Sequence, residues 1–341
     1  MKIPVFSSTI RRREMDAVLT CMVSEKIGPG EMNIKFMQLV KEIFKVDGAL
    51  ILRSTSIALL YALEALAIEP RTGVIVSALA PAWQYHSIKK SGYIPIIADV
   101  HPDTALMTPE TISEAVQRGG RVIIFHETAG SLPGFDEIRA LNIPLIEDIS
   151  HSAGSVIGEK MAGTFGVFSI LGLEENDILT SGGGAVLIAP NKRESIILNK
   201  IGEQAPSTDI LPDINSALAY VQLKELNRNS QLRQEIKTLF LRSLLQGRHK
   251  TFPQPEDVTS SVYSFPVILS SGFKDVKSYT NRKEVEIELA FSGSIAAYLG
   301  DQLEGCMQAK SLLMRCVFFP LYPRLGSANA AKISKLLATL P

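Results

Sequence analysis

Three of the chain's titratable side chains stand at or just beyond the ends of apolar runs. His126 closes RVIIFH (121–126), Asp148 closes IPLIED (143–148), and His151 follows three residues later. A carboxylate leaving a strand beside two imidazoles can hold a cationic ring nitrogen or orient an acid–base pair. A second group, Ser54-Thr55-Ser56, joins ALILR (49–53) to a helix-prone stretch. Hydroxyls and free backbone N–H groups meeting at a helix N-terminus make an anion site, although such triplets commonly serve as N-caps alone. Ser169 lies inside GVFSIL (166–171), and SGGG (181–184) precedes AVLIA (185–189). The glycine run lacks the GxGxxG spacing and no helix follows it, so it is a weak nucleotide signal. Asp148 has a plain reading as the cap of its next segment, and each histidine as a structural hydrogen-bonder. The spacing alone supports an α/β enzyme-like domain with an anionic ligand.

The elements that must position these groups follow from the hydrophobic pattern. Apolar runs also occur at GVIVS (73–77) and IPIIAD (94–99), giving seven between residues 49 and 189. They are rich in Ile, Val and Leu without polar alternation, as expected for strands buried on both faces of a mostly parallel sheet. Helices are expected over Ser56–Ala67, Trp83–Ser91, Pro109–Gln117 and Phe135–Leu141, and the alternation reads as a doubly wound α/β domain. Ligands in such sheets bind outside the carboxyl ends of the strands, where Asp99, His126 and Asp148 fall. Helices are also expected at Arg11–Met22 and Asn33–Phe44, separated by the breaker Gly28-Pro29-Gly30. Ile214–Leu245 contains no Gly or Pro and reads as one long helix. Beyond TFPQPEDVTSS (251–261), VYSFPVILS (262–270) and CVFFPLY (316–322) read as strands, with helices over Arg282–Ser292 and Ala328–Leu340. The expected division is a large domain, residues 1–245, and a small C-terminal α+β domain, residues 246–341.

Composition narrows the function classes. The chain has 341 residues, 35 Lys+Arg against 35 Asp+Glu, and no basic block interleaved with aromatics, which argues against nucleic acid as a partner. Cys21, Cys306 and Cys316 are scattered without a CxxC pair, so neither a zinc site nor a disulfide framework is expected. No apolar run reaches the roughly 18 residues of a membrane span, and the opening MKIPVFSSTIRRRE lacks a signal-peptide core. The expectation is a soluble, cytoplasmic protein.

The ordered segments also carry a family likeness from end to end. IPVFSSTIRRREMDAVL (3–19), RSTSIALLYALEALAI (53–68), LIEDISHSAGS (145–155), GTFGVFSI (163–170), TSGGGAVLIA (180–189) and FFPLYPRLG (318–326) resemble, in order and spacing, the DegT/DnrJ/EryC1/StrS family. These are sugar-nucleotide aminotransferases of the type I pyridoxal-phosphate (PLP) fold. The resemblance implies a large domain with a mostly parallel seven-stranded sheet, a small C-terminal domain, and a homodimer. It places Asp148 against the pyridinium nitrogen of PLP or pyridoxamine phosphate (PMP), and His151 near the ring hydroxyl. Thr55, Ser56 and Ser169 fall on the cofactor phosphate. The ring-stacking aromatic falls at Pro81, with Trp83 close by in sequence.

The departures bear on activity. At the family's Schiff-base lysine this chain has Glu174, Glu175 or Asn176, depending on the gap, and no lysine lies between Lys160 and Lys192. Thr55 replaces a family glycine, and Thr208 and Ile210 replace the Asn and Arg of the family's dimer-contact motif. The lysine in this fold both holds the cofactor and moves the substrate proton. The expectation is a homologue that binds PLP or PMP non-covalently, or a nucleotide-sugar or amino-acid ligand, without ordinary transamination. One alternative is a non-enzymatic partner subunit, paired with a lysine-bearing paralogue, or a sensor. Another is a lysine-independent, PMP-dependent sugar dehydratase using Glu174, Glu175 or His151 as base.

Overall fold

The computed structural model describes residues 2–341. Seven strands form the central sheet: β1 (Gly48–Leu52), β2 (Gly73–Ser77), β3 (Ile94–Ala98), β4 (Gly120–His126), β5 (Leu145–Asp148), β8 (Phe168–Gly172) and β9 (Ala185–Ala189). Their order is β1-β9-β8-β5-β4-β2-β3, and β9 alone runs against its neighbours. All seven expected runs are present in this one sheet. β2, β5, β8 and β9 are buried at every position, which removes any reason for polar alternation.

Helices cover both faces. α3 (Thr55–Ala65), α4 (Ala82–Lys90) and α7 (Lys192–Gln204) flank one face, and α5 (Pro109–Gln117) and α6 (Phe135–Arg139) the other. The start of α5 is encoded locally: Thr108 and Thr111 exchange capping hydrogen bonds and Pro109 opens the first turn. α1 (Arg12–Val23) and α2 (Glu31–Phe44) flank the Gly28–Gly30 turn as expected. Gly30 caps α2 without a side chain, and Asp213 supplies the missing acceptor to Met32 N and Asn33 N at 3.1 and 2.9 Å. A Cβ on Gly30 would meet that carboxylate at 2.9 Å.

Two expected elements differ. The single helix over Ile214–Leu245 is two, α8 (Asp213–Lys224) and α9 (Leu226–Leu244), broken at Glu225 with φ −90° and ψ 2°. No breaker residue marks the spot. The Glu225 carboxylate instead bonds Arg13 and Arg228 at 2.7 and 3.1 Å, tying the junction to the N-terminal arm. The helix expected over Arg282–Ser292 lies one element earlier, as α10 (Phe273–Arg282). In the segment that follows, Val285 and Ile287 are buried and Glu286 and Glu288 are not, a period of two that leads into the short strand β12 (Glu288–Leu289).

β12 pairs with β13 (Cys316–Phe319), which pairs with β11 (Phe265–Ile268), making a second sheet under α10 and α13 (Ser327–Leu337). Phe240 and Leu244 of α9 and Ile3 of the N-terminal arm share this core, so chain from before residue 245 helps to build it. α11 (Ile295–Leu299) and α12 (Met307–Arg315) complete this part. Asp99 caps α12, accepting from Gln308 N and Ala309 N at 3.0 and 2.9 Å. A strip of β6 (Val156–Ile157), β7 (Lys160–Met161) and β10 (Val258–Thr259) ties the C-terminal segment to the loop after β5. Among the described residues, no helix is long and apolar enough to cross a membrane.

Candidate active site

The parallel register of β4 and β5 sets His126 directly beside Asp148. His126 Nδ1 lies 2.8 Å from Asp148 Oδ2, and both side chains are buried. A carboxylate only accepts, so Nδ1 carries the proton. Three more donors reach the same carboxylate. Gln84 Nε2, from the first turn of α4, meets Oδ2 at 2.7 Å; the amide and hydroxyl of Ser150 meet Oδ1 at 3.2 and 2.5 Å. Burial alone would raise the Asp148 carboxyl. His126 and the Ser150 hydroxyl more than reverse this and hold it below the usual carboxylate range. Asp148 is therefore an anion at the carboxyl end of the sheet, where such sites belong.

His151 turns back over His126, with ring centroids 4.7 Å apart and edge to face. Its other face stacks on Tyr263 at 3.6 Å. Burial, helped by His126, pushes its pKa well below the ordinary histidine value, so it is a neutral imidazole. His151 Nδ1 is buried and has no hydrogen-bond partner. A cavity of about 160 Å³ opens here, lined among others by Pro81, His126, Thr128, His151, Phe291 and Phe318. The C-terminal part closes one side through its backbone. Ala82 N donates to Gly293 O at 3.0 Å and Ile295 N to Ala80 O at 2.9 Å.

A layer of acids supports this floor. Glu147 accepts from the amides of Gly163, Phe165 and Gly166 at 2.9, 2.7 and 2.6 Å, fixing the turn before β8. Glu127, fully buried, receives the Ser152 hydroxyl; burial and the charge of Glu147 push its pKa well above the usual range. Beyond β8, Asp177 accepts from Glu174 N at 2.8 Å. Burial, with help from Asp148 and Glu174, pushes its carboxyl up to about 8.

The residues singled out from sequence are distributed as follows. His151 and Pro81 line the cavity with His126, and Asp148, outside the lining, is joined to it through the His126 Nδ1 hydrogen bond. Trp83 does not join them: it lies with Ser56, Ile57 and His86 along a separate groove between α3 and α4. Ser54 is the N-cap of α3, its hydroxyl accepting from Ile57 N at 3.2 Å, while Thr55 and Ser56 open the first turn. Ser169 is buried, and its hydroxyl donates to Gly163 O at 3.0 Å. Glu174, Glu175 and Asn176 form an exposed turn after β8, with Glu174 facing Gly183. Ile210 bridges Leu52 at the sheet edge, and Thr208 lies just before it, exposed. Gln84, Ser150, Tyr263 and Asp177 had not been singled out. The one available signal was for Gln84, a polar residue sharing a helix face with Ser87 and Ile88.

The sheet order, the lone antiparallel β9 and the site at the strand ends define a PLP-dependent type I aminotransferase fold. Solved structures share it nearly end to end. The aminotransferase TlmJ from Streptoalloteichus hindustanus superposes with a TM-score of 0.88 at 20% identity, covering 98% of each chain. The E. coli GDP-4-keto-6-deoxy-D-mannose-3-dehydratase with bound hydrated PLP gives 0.87 at 19%, covering 99% of each. Spr1654 from Streptococcus pneumoniae, named provisionally as a sugar aminotransferase and solved in its PMP form, gives 0.90 at 18%, covering 99% of this chain and 97% of its own. At these identities the likeness concerns the fold.

The chain belongs to the DegT/DnrJ/EryC1/StrS aminotransferase family, whose model matches residues 8–338. EpsN of Bacillus subtilis (strain 168), whose name assigns it provisionally to the PLP-dependent aminotransferases, is 25% identical over 255 residues. That match spans 68% of this chain and 66% of EpsN, just under two thirds of that relative.

Proposed function

We propose that this chain is a DegT-type homologue that binds PLP or PMP without a covalent link, or a nucleotide sugar, and does not transaminate in the ordinary way. The observation that carries this reading is the pairing of a retained floor with an altered anchor. Asp148 and His126 stand in register at the strand ends, while the turn after β8 presents Glu174, Glu175 and Asn176 and no lysine. The residues present fit the cofactor ring, because a buried imidazole nitrogen, His151 Nδ1, has no partner beside a cavity edged by His126. Asp148 would take the ring nitrogen, His151 the ring hydroxyl, and Thr55 and Ser169 the phosphate, whereas Ser56 opens onto the separate groove with Trp83. When bound, the cofactor supplies an electron sink. The chain's own part is to orient the ring, keep water out and preserve a negative charge at Asp148. Proton transfer lacks its usual amine, a loss that typically costs ~10²–10⁴ in rate.

A dehydratase acting with PMP is the second reading. It is favoured by one observation: His151 lines the cavity with an Nδ1 that has no hydrogen-bond partner and could accept a proton. The dimer is part of the proposal as well. Met15, Leu19, Met22 and Val23 form an exposed apolar stripe on α1, which a second copy of the chain would cover.

The test is a PLP titration of the purified protein, followed by borohydride reduction and intact-mass measurement. The expected result is saturable binding with no mass gain. A gain of one cofactor mass would overturn the reading. No binding would move the weight to a non-enzymatic partner or sensor.

A further inference from the structure

We propose that Gln84 is a built-in competitor for Asp148, so that a ring N–H reaches the carboxylate only after Gln84 has withdrawn. The inference rests on the cofactor reading above and adds a control on the same site. A carboxylate offers about four acceptor positions, and in this chain all four are taken: His126 and Gln84 on Oδ2, the Ser150 amide and hydroxyl on Oδ1. A further donor must displace one of them.

The four are not equally held. The Ser150 amide belongs to the chain two residues beyond Asp148, and the Ser150 hydroxyl also accepts from Gly172 N at 2.9 Å, which ties it to β8. His126 sits on β4, in register with Asp148 and packed against the His151 ring. Gln84 alone reaches in from a helix on a long, rotatable side chain. Its other end is unsatisfied, because Oε1 is buried with no partner. By staying, Gln84 keeps one hydrogen bond and leaves a buried carbonyl unpaired, so its withdrawal gives up a single bond and relieves an unsatisfied acceptor. It is therefore the donor that leaves at least cost. Its orientation is fixed by chemistry, since only the amide nitrogen can face a carboxylate.

The location suits a gate. Gln84 lies three residues past Pro81, which lines the cavity and whose neighbour Ala82 is bonded to Gly293 of the C-terminal part.

Equilibrium binding of PLP, followed by its absorbance and by protein fluorescence, tests this with the wild type, Gln84→Ala, and Gln84→Ala combined with Asp148→Ala. Circular dichroism and thermal melting establish that each is folded. Gln84→Leu, which keeps the bulk and removes the donor, serves if the alanine variant is unstable. The expected result is at least tenfold tighter binding in Gln84→Ala, abolished in the double variant. Binding by the wild type with no gain in either Gln84 variant overturns the competitor role and leaves the cofactor reading standing. Binding only after Gln84 is removed upholds the competitor role and overturns cofactor use by the wild type. No binding by any variant overturns both. A gain that survives loss of Asp148 also overturns the proposal, since the gain would then come from space alone.

Discussion

Charge at the floor of the cleft is apportioned by very local chemistry. Asp148 stays ionised because its neighbours donate to it, while Asp177, in the turn after β8, has one backbone donor and two acids nearby. The sign of the pH response follows. A carboxyl raised to about 8 when folded and near 3.8 when unfolded stabilises the fold only while protonated. That contribution is present at low pH and is lost as pH climbs through the window from about 4 to 8. Asp177→Asn keeps the acceptor for Glu174 N and removes the titration. The variant should gain on the order of 2 kcal/mol over wild type at pH 8.5, allowing for the partial exposure of the side chain, and should converge with it below pH 4. Urea melts across that range check this, and parallel pH profiles of the two proteins would contradict it. None of this was legible in the sequence. Nothing in GLEEND sets Asp177 apart from Glu174 or Glu175.

Elements, in contrast, were largely readable, and the reason differs from one to the next. The seven sheet strands stand out because burial on both faces leaves uninterrupted runs of Ile, Val and Leu. The α8–α9 break was hidden because Glu225 is a good helix former whose turn is held by Arg13, more than two hundred residues away in sequence. Gln84 was hidden for a related reason: a polar residue in a short helix points outward unless the packing of that helix says otherwise. The turn before β8 shows how far one side chain can determine an element. Glu147 holds three of its amides, and Gly166 fits beneath because a Cβ there would meet Leu145 O at 2.6 Å. Glu147→Ala would leave three buried or half-buried donors without acceptors, a cost on the order of 3–5 kcal/mol. Glu147→Gln should cost less, because Oε1 already serves Phe165 and Gly166 and an amide oxygen can keep both. Chemical denaturation ranks the variants, and equal stability of the two would show that the amides are held by something else.

For the molecule as a whole, the surface of α1 is the feature that a lone chain leaves unexplained. Glu14 and Cys21 face inward and are buried, as one stripe of a surface helix should be. The opposite stripe, Met15, Leu19, Met22 and Val23, is apolar and more than half exposed, as are Ile27 and Ile34 in the segments that follow. An exposed apolar stripe of this kind marks a face that another chain covers. The homodimer reading supplies the cover with a self-complementary patch, the arrangement a twofold contact requires. Leu19→Glu puts a charge in the middle of the stripe without touching the inward face, so folding should be retained and association lost. Sedimentation equilibrium should find the wild type dimeric and the variant at least tenfold weaker in self-association, with unchanged circular dichroism. A wild type that remains monomeric at micromolar concentration would remove the second copy from the proposal and leave the stripe to a different chain. A variant that stays dimeric would place the contact on another face.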